Sequence, residues 1–178
     1  MPRLFISVDL PDDIKKALSA LGQGLPGVRW LRPEHLHLTI RFIGEVDEVV
    51  FATIREGLTG EGLAPFACHL QGVGYFPPRG RPRVIWAGVH AEAGLFALQA
   101  RVESDLRRIG LPPEEKKFVP HITLARPKDL QPAAADKYLN THHLFQSSSF
   151  SIQSFHLYSS VLTAKGAIHT LEQSYGLP

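Results

Sequence analysis

The sequence lacks the features of several common protein classes. It has one cysteine, Cys68, among 178 residues, so it cannot form an intramolecular disulfide, and the paired Cys and His spacings of zinc sites are absent. No apolar run approaches the roughly 20 residues of a membrane-spanning helix, and nothing resembles a secretory signal. We therefore expect a cytoplasmic protein with no membrane anchor and no bound metal.

An excess of charge of one sign is also missing. The chain has 19 Lys+Arg and 17 Asp+Glu, a formal net charge of +2 at pH 7, so no strong overall field is available to attract nucleic acid. The Gly-x-Gly-x-x-Gly turn of dinucleotide-binding folds does not occur either. An anionic ligand must therefore be held by a local group of side chains.

The predicted elements occur in the same order twice. Alternating apolar residues predict strands at 4–9, 35–43, 66–76, 84–90, 119–126, 150–161 and 167–173. Helix signals predict helices at about 11–21, 93–109 and 132–139, and another that Asp47 caps and that runs to about residue 58. Each half thus has a strand, a helix, a strand, a helix and a strand.

A nearly constant offset relates the two halves. His37 and His121 are 84 residues apart, as are Phe66 and Phe150, which indicates an internal duplication. We predict an α+β fold of two pseudo-twofold lobes whose sheets face a central cleft. The chain of 1–178 is interpreted as a single catalytic domain with repeats at about 1–76 and 84–178, a length that suits one domain.

A repeated His-x-Thr motif carries the candidate chemistry. Strand alternation places His37, Thr39 and Arg41 on one face of their strand, and His121 and Thr123 on one face of the equivalent strand. The same alternation places Arg126 on the opposite face, so it reaches the cleft only if the strand bulges or twists near its end.

Two imidazoles and two hydroxyls in one cleft suit displacement at phosphorus. With an ordinary pKa of about 6.5, one histidine can accept a proton from the entering oxygen while the other donates one to the leaving oxygen. The threonine hydroxyls can donate to the remaining phosphate oxygens. A phosphodiester with an intramolecular leaving group needs no metal or other cofactor under this scheme.

Three segments resemble the two-histidine (2H) phosphoesterase superfamily, and within it the RNA 2′,3′-cyclic phosphodiesterases that are also called 2′-5′ RNA ligases. They are RLFISVDLP at 3–11, LHLTIRFIGEV at 36–46 and PHITLAR at 120–126. The likeness covers essentially the whole chain. It implies a bilobal fold and metal-independent opening of a 2′,3′-cyclic phosphate at an RNA end to a 2′-phosphomonoester.

The resemblance also implies roles for individual residues. His37 would protonate the departing O3′ and His121 would activate water, although the near-twofold site leaves these two roles interchangeable. Arg126 would bind the phosphate and Phe42 would contact the nucleoside, while Arg41 is the alternative phosphate ligand because of its strand parity. We expect a monomer that acts on RNA or on a nucleotide with a cyclic end. The alternatives are 2′-5′ ligation by the reverse reaction, and a non-catalytic module that binds RNA ends.

Overall fold

The computed structural model describes residues 3–90, 92–164 and 166–178. In these segments strands and helices alternate, which confirms the predicted α+β class. The strands are β1 (Arg3–Asp9), β2 (His37–Glu45), β3 (Phe66–Phe76), β4 (Val84–His90), β5 (His121–Ala125), β6 (Phe150–Ile152), β7 (Ser154–Thr163) and β8 (Gly166–Gly176). The helices are α1 (Asp12–Ala20), α2 (Glu48–Gly57), α3 (Ala93–Arg108) and α4 (Pro132–His142).

The strands form one antiparallel sheet in the order β6-β3-β4-β5-β2-β1-β7-β8. The central pair is β2 and β5, the equivalent strands of the two repeats, which meet at Leu38 and Ile122. A pseudo-twofold axis at this point relates β1 to β4 and β7 to β3. The two predicted sheets are therefore the two halves of a continuous sheet.

The repeats exchange strands within this sheet. The third strand of the first repeat, β3, pairs with β4 of the second repeat, and β7 of the second repeat pairs with β1 of the first. Each half of the sheet thus contains strands from both repeats. β3 and β4 are consecutive in the chain, whereas β1 and β7 lie near its opposite ends, so local patterns cannot reveal the pairing of β7 with β1.

The helices follow the sequence signals that predict them. Asp47 caps α2, since its Oδ1 accepts a hydrogen bond of 2.8 Å from the backbone N–H of Val50, as expected for an aspartate at this position. In α3, Leu95, Leu98 and Val102 are fully buried, a spacing that places them on one helical face. No helix of the described segments has both the length and the hydrophobicity of a membrane span.

Several predicted bounds are wrong by two or three residues, among them the start of β5 and the ends of α4 and β8. Two differences have a visible local reason. The strand predicted to begin at residue 35 begins at His37, because Pro33 starts a short 3₁₀ turn, Pro33–His35, that interrupts the extended chain. The single strand predicted over 150–161 is divided at Gln153 into β6 and β7. Gln153 instead accepts a hydrogen bond of 2.8 Å at its carbonyl from the backbone N–H of Leu177.

Candidate active site

The two His-x-Thr motifs lie side by side at the centre of the sheet. The middle residues of the motifs, Leu38 and Ile122, pair across β2 and β5 and are both fully buried. The flanking histidine and threonine of each motif are half-buried and point to the other face, as period-two alternation requires. The duplication therefore brings both motifs to one region of the sheet.

A bulge follows the threonine of each motif. Ser7 pairs with Thr39 but Ile6 pairs with Arg41, so one residue of β2 is extra at this point. In β5, Trp86 pairs with Thr123 but Ile85 pairs with Ala125. Each bulge reverses the alternation of the residues that follow it.

The bulges decide which later residues reach the cleft. Phe42 and Arg126, the third residue after each threonine, line the cleft, and Phe42 is 55% exposed. Arg126 therefore reaches the cleft because its strand bulges, which is the condition that the alternation pattern requires. Arg41 and Ala125, one residue earlier in each strand, turn inward and are buried.

The predicted placement of Arg41 on the face of His37 and Thr39 is therefore wrong. Its Nε lies 3.1 Å from Glu103 Oε1, its Nη1 pairs with Glu114, and its Nη2 donates a bond of 2.9 Å to the carbonyl of Pro112. The guanidinium joins β2 to α3 and to the segment before β5. With both carboxylates as partners, Arg41 is a structural ion-pair residue and does not line the cleft.

The cleft is a cavity of about 760 Å³, within the usual range for small-molecule sites. Five of the seven predicted site residues line it, namely His37, Thr39, Phe42, Thr123 and Arg126. His121 lies two residues before Thr123 on the same strand face, outside the cavity wall itself. Its ring makes edge contacts with Phe76 at 5.1 Å and a tilted contact with Trp86 at 6.3 Å between centroids.

The ring of His121 is oriented by a backbone carbonyl two residues earlier. Its Nδ1 lies 2.6 Å from the carbonyl oxygen of Val119, so Nδ1 carries the proton and donates, and Nε2 keeps a free lone pair. For His37, the backbone of His35, also two residues earlier, raises the pKa of the ring, as the Val119 carbonyl does for His121.

Both histidines are neutral at pH 7 in the free protein. Burial and, to a smaller extent, the nearby His169 lower the pKa of His37 to about 4, against opposing effects of the His35 backbone and Asp9. Burial also lowers the pKa of His121; the Val119 carbonyl opposes this effect and the positive charge of Arg126 adds to it. Neutral imidazoles are proton acceptors, and a bound anion favours protonation of the nearer one.

The surroundings of the two rings differ in charge. Asp9 pairs with His37 in the sheet, whereas the residue that pairs with His121 is Gly88. Tyr158 donates its hydroxyl to the Asp9 carboxylate at 2.9 and 3.0 Å. A negative charge therefore lies near His37 and a positive one, Arg126, near His121.

Comparison with known proteins agrees with this geometry. The family model described as LigT-like phosphoesterase matches the chain twice, at 8–86 and 89–169. The chain belongs to the LigT-like phosphoesterase family. The double match also follows the duplication that is visible in the sheet.

Individual relatives of this LigT-like phosphoesterase are similar over nearly all of its length. A protein named RNA 2′,3′-cyclic phosphodiesterase from Archaeoglobus fulgidus is 37% identical over 173 residues, which are 94% of this chain and 96% of the relative. A protein of the same name from Aeropyrum pernix is 40% identical over 82% of this chain and 84% of its own. A crystal structure from Thermus thermophilus superimposes with a TM-score of 0.78 at 30% identity, covering 98% of this chain and 97% of the other.

Sequence patterns did not identify His169 as part of the site. It lies in β8, lines the cavity, and its ring centroid is 5.7 Å from that of His37 and 5.0 Å from that of Phe5. No motif surrounds it, and only the pairing of β8 with β7 brings it to the cleft. No group of three or more His, Cys, Asp or Glu in the described segments could hold a metal ion.

We expect the lowered pKa of His37 to make the fold sensitive to acid. An unfolded chain protonates this histidine below about pH 6.5, whereas the folded protein resists protonation down to about pH 4. The unfolded state then binds more protons, so the free energy of unfolding falls as pH drops through this window, by about 1–3 kcal/mol for this group. Urea unfolding at pH 7 and pH 4.5 should show a smaller loss for His37→Asn than for the wild type.

The matched control for this measurement is His143→Asn, because His143 is exposed and lies outside the cavity. It should lose as much stability as the wild type between the two pH values. If His37→Asn also lost as much as the wild type, His37 would not be held neutral in the folded protein.

Proposed function

We propose that this chain hydrolyses 2′,3′-cyclic phosphate ends of RNA to 2′-phosphomonoesters, with His37 and His121 as the acid–base pair. The observation that carries the proposal is the pairing of the two His-x-Thr motifs across the central strands, beside a cleft lined by both threonines. The names of the A. fulgidus and A. pernix relatives support the same activity.

The arrangement can perform the reaction without an added cofactor. Water attacks phosphorus while one neutral imidazole removes its proton at Nε2, the P–O3′ bond breaks, and the other histidine, protonated, gives its proton to O3′. The hydroxyls of Thr39 and Thr123 donate hydrogen bonds to the non-bridging oxygens, and Arg126 balances the charge that develops on them. After this step the base carries the proton taken from water, and the acid has lost its proton to O3′. Both histidines must therefore exchange a proton with solvent before the next turnover.

We assign His37 as the acid and His121 as the base, as the family resemblance implies. In the free protein, burial and His169 lower the pKa of His37 to about 4 and outweigh the opposing effect of Asp9, while Arg126 adds to the effect of burial on His121. When the negative phosphate enters, it opposes the burial that keeps His37 neutral, and the carboxylate of Asp9 acts in the same direction. The acid role of His37 therefore depends on the bound phosphate.

Phe42 supplies a surface for the nucleoside. Its ring is more than half exposed and lies on the wall of the cleft, at the position of the first repeat that corresponds to Arg126 in the second. A base that stacks on an aromatic ring gains affinity with little dependence on its identity. One repeat thus contributes a contact to the base and the other a contact to the phosphate.

The regiochemistry of the product and the metal requirement of the reaction test the proposal directly. We expect purified protein to convert a cyclic-ended RNA dinucleotide to the 2′-phosphate, at an unchanged rate in excess EDTA, as resolved by chromatography against 2′- and 3′-phosphate standards. A 3′-phosphate product, or loss of activity in EDTA, would contradict the mechanism.

Adding an RNA with a 5′-hydroxyl tests ligation by the reverse reaction. Water at about 55 M should outcompete dilute RNA ends, so hydrolysis should remain dominant. Tight binding without turnover would indicate an end-binding module.

The domain organisation, oligomeric state and cellular compartment of the protein are part of the same proposal. We propose one catalytic domain over residues 1–178, because the site needs β2 from the first repeat and β5 from the second. We also propose that it acts as a monomer in the cytoplasm. The buried free thiol of Cys68 suits a reducing compartment, and every residue of the proposed mechanism comes from this one chain.

A further inference from the structure

The wall of the cleft contains more positive charge than one phosphate requires. Four arginines line it, and no Asp or Glu is found among its described residues. Two of these arginines have carboxylate partners: Arg3 lies 3.3 Å from Glu45, and Arg32 lies 3.3 Å from Glu34. Over residues 3–90, 92–164 and 166–178, the other two, Arg29 and Arg126, have no ion-pair partner.

These two unpaired arginines lie beside each other. Leu31 donates its backbone N–H to the carbonyl of Leu124 at 2.8 Å, and Trp30 forms an antiparallel bridge with Ala125. This register places Arg29 opposite Arg126. Like charges that face each other across paired strands destabilise the fold unless an anion lies between or beside them. The arrangement therefore points to an anionic ligand larger than the reacting phosphate alone.

Arg29 and Arg126 reach the cleft from different segments of the chain. Arg126 follows the bulge in the strand that carries His121, and its charge lowers the pKa of that histidine. Arg29 belongs to the separate segment before the 3₁₀ turn, and it is not among the groups that shift the pKa of either His37 or His121. Arg126 is thus placed for the reacting phosphate, and Arg29 for a neighbouring one.

We infer that Arg29 binds the phosphodiester on the 5′ side of the terminal nucleotide, so that an RNA end of at least two nucleotides is a better substrate than a free cyclic mononucleotide. The inference rests on the proposed function. The cavity has room for more than a phosphate at about 760 Å³. Phe42 and Leu162 add exposed apolar wall, with 55% and 66% of their surfaces accessible, for the bases that accompany two phosphates.

The test compares substrates that differ by one phosphodiester. The kcat/KM of the wild type, Arg29→Gln and Arg107→Gln is measured on a 2′,3′-cyclic mononucleotide, on a cyclic-ended dinucleotide, and on the same dinucleotide with a neutral methylphosphonate linkage. Arg107→Gln is the matched control, because it removes one positive charge from an exposed site on α3 outside the cleft. Arg29 is exposed and has no side-chain hydrogen bond or ion pair within residues 3–90, 92–164 and 166–178. Its replacement also removes the repulsion with Arg126, so Arg29→Gln without ligand should be no less stable than the wild type.

We expect Arg29→Gln to lower kcat/KM about 10-fold on the dinucleotide, the size of one charge-assisted hydrogen bond, and less than 2-fold on the mononucleotide. Replacing the charged linkage by the methylphosphonate should lower kcat/KM about 10-fold for the wild type and for Arg107→Gln. For Arg29→Gln the same replacement should lower kcat/KM little further. An equal loss on both charged substrates would place Arg29 on the reacting phosphate and overturn the inference. Unchanged rates on both would overturn it as well. Absence of hydrolysis of every substrate by the wild type would instead refute the proposed function.

Discussion

Replacing His121 by alanine should reduce kcat/KM for a cyclic-ended dinucleotide by about 10²- to 10⁴-fold, the usual effect of losing a general acid or base. His37→Ala should cost a similar factor. The two rings act in one proton-transfer sequence, so the double variant should be little slower than either single one. Because both rings are only half-buried at the cleft, the variants should remain folded by circular dichroism.

The pH dependence separates the two roles. In the wild type, kcat/KM should give a bell-shaped profile whose limbs belong to the coupled pair and not to either residue. Each single variant should lose one limb in its residual activity. The control is His143→Ala, which removes an exposed imidazole outside the cleft and should leave both rate and profile unchanged. Wild-type turnover by either active-site variant would refute acid–base catalysis by this pair.

The second large effect concerns stability. Arg41→Met should lower the free energy of unfolding by about 3–5 kcal/mol, because Glu103 and Glu114 would keep their charges without the guanidinium that balances them. Urea denaturation measures this loss. The hydrolysis rate per folded molecule should stay within about 2-fold of the wild type, since Arg41 lies on the inner side of β2.

Arg126→Met provides the opposite result for comparison. It should reduce kcat/KM by about 10²-fold, the usual scale for losing a donor that stabilises transition-state charge. Its unfolding free energy should change by less than about 0.5 kcal/mol, as is usual at sites outside the core.

Adding Glu103→Gln to Arg41→Met should recover part of the stability that Arg41→Met loses, because it removes one of the two unbalanced charges. If Arg41→Met folded normally but lost activity, Arg41 would contact substrate after all.

The sequence alone determined the parts of this protein that depend on local patterns. Alternation along 37–40 and 121–124 correctly separates the buried leucine and isoleucine positions from the histidines and threonines, because strand side chains alternate regardless of what the strand packs against. The α2 cap at Asp47 and the bounds of β3 and β4 are equally local. The equal spacing of the motifs reveals the duplication, and duplication implies a site made of two copies.

Tertiary structure decided which arginine faces the cleft. The bulges after Thr39 and Thr123 exchange the expected faces of Arg41 and Phe42, and they bring Arg126 into the cleft. A bulge arises from how two strands match each other, so one strand's sequence does not show it. The carboxylates that hold Arg41 are likewise distant in the chain, at residues 103 and 114.

The contributions of β8 and of the segment before the 3₁₀ turn also come from the assembled sheet. His169 reaches the cleft because β8 pairs with β7 and β7 pairs with β1, and Arg29 reaches it through the bridge between Trp30 and Ala125. Neither residue belongs to a repeated motif or a periodic pattern. Local sequence specified the pair of histidines, and long-range strand pairing specified the charges and rings that surround them, because those neighbours meet only when the chain has closed its sheet.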